Sequence, residues 1–237
     1  MPREITTDFS KFLKFIEEYN LSTHNTNKDY IKVLSQQHKK FYSFLTCIAE
    51  IQHLRKDTSL TPVICDKQIG FLTESCSDVG SAFFVMTHGA YKASKIMLRS
   101  SIETFCKAYN LDSIPNIDKE KSVYAIFDGI KALPFFEAEP QKSLLKIIHQ
   151  EYKNLCLDTH TADDINMQHI TALNYFPTFD KAEATKVSEK LTLLVSAYIS
   201  LLCIKYNAYF QKMHHKSKEN IIDSIPRTIR PVIHGIA

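Results

Sequence analysis

Arg99 and Glu103 stand four residues apart inside an otherwise apolar helical pattern that runs from Gly89 to Tyr109. At about 100° per residue, Tyr91, Ser94, Leu98, Ile102, Phe105 and Tyr109 form one stripe, and Arg99 and Glu103 share the adjoining face. A basic residue before an acidic one is the less favourable order for a surface pair on a helix, so stability alone explains the pair poorly. A guanidinium fork holds phosphate or carboxylate through paired hydrogen bonds, and a neighbouring glutamate could orient it. The plainer alternative is a salt bridge between helices that fixes packing. His160 follows Tyr152, Leu155 and Cys156 at the end of a second amphipathic run, beside Asp158 and Thr159. Histidine titrates near neutrality and suits proton transfer. A histidine to move protons and an arginine to hold a phosphate are the minimum for metal-free RNA cleavage through the 2′-hydroxyl. A capping or merely exposed histidine is the alternative.

Other constellations carry less. His160, Asp163, Asp164 and His169 cluster within ten residues, but their spacing fits no standard ligand pattern, so no metal site is expected. Between 205 and 218, Lys212, His214, His215, Lys216 and Lys218 make a basic edge. Lys212 and Lys216 are its candidate binding residues, either for RNA or simply as a solvated helix end. No P-loop, dinucleotide glycine fingerprint or serine-hydrolase elbow is present, which leaves nucleotide-driven and acyl-transfer chemistry without support and implies no cofactor.

The elements that must position these residues are helical. A chain of 237 residues can bury an ordinary core, and five glycines and eight prolines leave little material for tight turns. Apolar three- and four-residue steps predict helices over 9–19, 30–55, 67–87, 89–109, 121–133, 141–157 and 181–212, the first and fifth of them short. Gly70 and Gly80 predict a kink or two pieces in the third of these. Residues 158–166 read as a loop, and Pro226 and Pro231 predict an irregular tail over 213–237. No two-residue alternation or internal repeat appears. The expectation is an all-α, up-and-down helical bundle in a single domain, with N-terminal helices in 1–60 and the bundle core in 67–212.

A net charge of +3 does not by itself point to nucleic acid. Six cysteines without a C-x-x-C pair read as reduced core residues, and the N-terminus lacks an apolar leader, so a cytoplasmic location is expected. The longest uncharged run, 191–204, is shorter than the roughly 20 residues needed to span a bilayer and reads as a buried helix.

Gly89, Tyr91, Ser94, Leu98, Arg99, Ser100 and Glu103 on one helix, with Tyr152, Leu155 and His160 on a later one, resemble bacterial HEPN-like proteins. These are helical bundles common in toxin–antitoxin and phage-defence loci. The resemblance covers 78–161. It implies that Arg99, Glu103 and His160 face the interior of the bundle as catalytic residues, with Tyr152 as a binding residue beside them. It also implies either a metal-independent endoribonuclease or a noncatalytic module that binds RNA or protein. A homodimer, or a complex with a partner protein from the same operon, goes with it. Catalytic members carry arginine and histidine four to six residues apart on one helix, and nothing around His160 supplies that arginine. Arg227 and His234 have the spacing, but Pro231 interrupts them.

Overall fold

The computed structural model of the protein describes residues 18–159 and 172–235 together with Lys11, Lys14 and Phe15, the side chains of Thr23 and Thr159 excepted. The described elements are α1 (Lys28–Leu54), α2 (Asp66–Thr87), α3 (Tyr91–Asn110), α4 (Val123–Lys131), α5 (Gln141–Thr159), α6 (Lys181–Lys205), α7 (Asn207–Lys212), α8 (His215–Asp223) and α9 (Arg230–His234), with single 3-10 turns between some of them. No strand occurs among the described residues, and the fold is all-α. Side chains start several helices. Asn27 accepts from the amides of Asp29 and Tyr30, Ser122 from that of Ala125, and Asp180 from those of Ala182 and Glu183.

Five helices form a ring in which each touches the next, α1 on α2, α2 on α3, α3 on α5, α5 on α6 and α6 back on α1. The helix α6 also touches α3 across the ring. From Leu194 to Cys203 every residue of α6 is buried, the pattern of a helix surrounded by protein. By length and composition alone α6 could cross a membrane, but most of its apolar surface lies inside the fold. The turn between α2 and α3 gathers the starts of α1 and α6. Tyr30 donates its hydroxyl to the Thr87 carbonyl, the Thr178 amide donates to the His88 carbonyl, and the Asp180 amide donates to the Tyr91 hydroxyl.

Three local expectations change. The helix α2 runs unbroken through both glycines. Gly70 faces open space, and at Gly80 a Cβ would lie 2.9 Å from the ring of Phe41, so this glycine lets α1 approach closely and packing outweighs its weak helix propensity. The helix expected over 181–212 breaks at Tyr206, whose backbone leaves helical geometry (φ −104°, ψ 42°), giving α6 and α7. The tail is ordered rather than irregular over its described residues, because Ile221, Ile225, Ile229 and Ile233 are all buried. Pro231 sits in the first turn of α9, where a missing N–H costs no helical hydrogen bond, so it starts that helix instead of interrupting one. Asp158 and Thr159, expected to open a loop over 158–166, instead continue α5, while the rest of that loop and most of the helix expected over 9–19 lie outside the described residues.

Candidate functional site

Lys95, Arg99, Glu103 and Lys107 follow one another at four-residue steps along α3 and so share a face. On α5, Tyr152 and Cys156 have the same spacing, and the α3–α5 contact brings the two pairs of turns together. Arg99 donates through Nε to the Cys156 sulfur and through Nη2 to the Tyr152 hydroxyl, both at 3.3 Å. Its guanidinium carbon lies 5.4 Å from the centre of the Tyr152 ring, within range of a cation–π contact. The contact with Cys156 first, and then that with Tyr152, push the guanidinium pKa up against partial burial, so Arg99 stays charged. Tyr152 is buried beside the rings of Phe127 and Tyr124, and burial pushes its phenol up, so it stays protonated. Among the described residues the partners of Arg99 are Cys156 and Tyr152, with no carboxylate at ion-pair distance.

Glu103 does not join that pair. Its carboxylate accepts from Lys107 at 2.8 Å, one turn further along α3. The acid then precedes the base, the favourable order on a helix, whereas a pair with Arg99 would have the reverse order. Lys95, almost fully buried, bonds Glu183 of α6 at 3.1 Å. Lys190 of α6 lies 3.2 Å from Asp158 and 3.6 Å from Glu151, which anchors the C-terminal half of α5. His160 follows directly in the sequence but lies outside the described residues, as do Asp163, Asp164 and His169.

The structure thus brings Arg99 and Tyr152 together and turns Glu103 elsewhere. The basic-edge lysines belong to another part of the fold, where α7 and α8 sit against α1. Lys212 pairs with Asp57 at 2.8 Å, and Lys216 is exposed on α8. Arg227 and His234 are exposed in the tail. Cys156 and the lysines at 95 and 107 are members of the site that sequence reasoning passed over. The four-residue charge repeat on α3 was the available signal for the lysines. His149, one turn before Tyr152 on α5, was passed over as well. It rests on the ring of Phe127, and burial pushes its pKa down, towards the neutral form.

Chemically, Arg99 offers a half-buried cation with one nitrogen, Nη1, not engaged by the described residues, at the rim of an aromatic and thiol cradle. That is the equipment for holding an anionic oxygen, not for moving a proton. No protein-family model matches this chain, and comparison with curated proteins and with solved structures finds no match either.

Proposed function

We propose that this chain is a HEPN-like helical protein of the bacterial defence or toxin–antitoxin kind, acting in the cytoplasm on RNA. Arg99 takes the phosphate and His160 moves the proton in a metal-independent cleavage through the 2′-hydroxyl. The observation that supports this reading is the charge state around Arg99. A half-buried guanidinium whose described partners are a phenol and a thiol keeps a full positive charge for a ligand to neutralise. Homodimerisation, or assembly with a partner protein from the same operon, is part of the proposal.

A second reading has its own support. Two of the three guanidinium nitrogens are already bonded to α5, and Glu103 is committed to Lys107. This favours a noncatalytic module that binds RNA or protein, in which Arg99 joins α3 to α5.

End-labelled single-stranded RNA incubated with the protein in chelator-containing buffer separates the two. Under the first reading, fragments ending in a cyclic phosphate appear and are lost in both His160→Ala and Arg99→Gln, while the melting temperature of His160→Ala is unchanged. Absence of cleavage, with the same RNA affinity for wild type and Arg99→Gln, rejects the ribonuclease.

A further inference from the structure

Along their contact, α1 and the first half of α6 leave an open groove of about 570 Å³, whose lining includes no residue of α3 or α5. Lys32, Lys39 and Lys40 line it from α1 and Lys181 from α6, against only two lining carboxylates, Asp29 and Glu189. Two of the four lysines have carboxylate partners. Lys181 pairs with Asp29 at 2.9 Å, and Lys39 pairs with Asp223 of α8. Lys32 is exposed, with no ion pair or hydrogen bond among the described residues.

Lys40 is the unusual member. Its ammonium reaches inward and donates to the Ser196 hydroxyl at 2.9 Å and the Ser224 carbonyl at 2.8 Å, both neutral acceptors. Burial, and then the adjacent charge of Lys39, push its pKa down to about 8. An ammonium that is partly desolvated, hydrogen-bonded only to neutral groups and next to another cation is compensated only in part, by the field of Asp223, and an arriving anion would supply the rest. Ser188 and Thr192 add hydroxyl donors to the same wall. None of the lining side chains is aromatic, so the groove has no platform on which a base would stack. Along α1, Lys32 and Lys40 are eight residues apart, about 12 Å at 1.5 Å per residue, which sets an inner and an outer cation on one track.

We propose that the groove between α1 and α6 is a binding site for a phosphate group, with Lys40 as its inner ligand and Lys32 as its outer one. The site stands apart from Arg99 and does not depend on what Arg99 binds.

Calorimetric titration of the full chain with inorganic pyrophosphate tests this. Lys40→Gln is expected to weaken binding by about tenfold or more, as for loss of a charge-assisted hydrogen bond. Lys32→Gln, at the exposed end, is expected to weaken it by about threefold. Lys146→Gln, on the exposed face of α5, should leave it unchanged. If Lys40→Gln fails to fold, Lys32→Gln and the pH dependence of the wild type decide. For the latter the probe is sulfate, and its affinity should fall between about pH 7 and about pH 9.5 as Lys40 loses its proton. The charged groups facing Lys40 in that titration are Lys39 on its own helix, Asp223 from α8 and Arg230 from α9, with Lys181 and Glu189 across the groove. No heat with millimolar pyrophosphate, unchanged affinity in Lys32→Gln and in folded Lys40→Gln, or an equal loss in Lys146→Gln overturns the proposal. Competition by an oligoribonucleotide carrying a 5′-phosphate, but not by its unphosphorylated form, supports it and identifies a nucleic-acid end as the source of the phosphate. Competition by neither supports a small phosphate-bearing ligand.

Discussion

Phe105 of α3 and Tyr198 of α6 stack face to face, with ring centroids 4.0 Å apart and planes within 15° of parallel. Both rings are buried, and the Tyr198 hydroxyl shares a hydrogen bond with Ser101 one turn earlier on α3. Removing one ring opens a cavity where the helices of the ring converge. Phe105→Ala is expected to cost about 3–5 kcal/mol in chemical denaturation. A loss below about 1 kcal/mol would mean that the site collapses to fill the space.

Gly89 should tolerate no side chain. Its φ of +83° lies in the left-handed region, and a Cβ would meet the Thr178 carbonyl oxygen at 2.5 Å. Gly89→Ala should cost about 1–3 kcal/mol from backbone conformation alone, with the clash added. The comparison is Gly70→Ala, where a Cβ meets nothing within 4 Å. That variant should be stabilised by about 0.5–1 kcal/mol, because alanine suits a helix better. Thermal melts of the two variants should move in opposite directions.

The Lys95–Glu183 pair carries a pH dependence. Burial raises the Glu183 carboxyl, but hydrogen bonds from Lys186 and Lys95 outweigh it and hold the pKa below the ordinary value. A depressed folded-state pKa contributes stability above the unfolded value of about 4.3, and that contribution is lost as pH falls through the folded value. Lys95→Met should therefore flatten the fall in urea midpoint on acidification below about pH 4.3. Parallel profiles for the two proteins would show that the pair has no such role.

The six thiols should react in order of exposure. None is in a disulfide, with Cys65 exposed, Cys156 intermediate and Cys47, Cys76, Cys106 and Cys203 buried. Burial pushes Cys76 and Cys106 up to about 12, which suppresses the thiolate that an alkylating reagent needs. Under native conditions a thiol reagent should modify Cys65 first and Cys156 more slowly, and the remaining four only after unfolding. Rapid labelling of Cys106 in the native protein would contradict the buried α3 face.

Much of this protein was set by local pattern. Residues 89–109 show a 3.6-residue stripe because Tyr91, Leu98, Ile102, Phe105 and Tyr109 meet the same core, so both the helix and its buried face were legible from the residues. The all-α class followed from the same repetition, and the uncharged run 191–204 marked the most buried helix. Ile221, Ile225, Ile229 and Ile233 are also four residues apart, a signal strong enough to place the tail on the core. The prolines drew attention from it, although Pro231 occupies a helix start where proline is harmless.

What the pattern could not decide was partnership. Spacing put Arg99 and Glu103 on one face, but a charge on a face can bind along its own helix or across to a neighbour, and these options differ by less than local sequence resolves. Lys107 one turn on and the α5 cradle of Tyr152 and Cys156 settled the matter, sending Glu103 along the helix and Arg99 across to α5. Lys40 shows the same limit. It reads as one lysine among many in 28–40 until α6 and α8 bring Ser196 and Ser224 to its ammonium and bury it. Helix periodicity is a property of neighbours in the chain. The environment of a charge belongs to residues that only the closed ring of helices brings together.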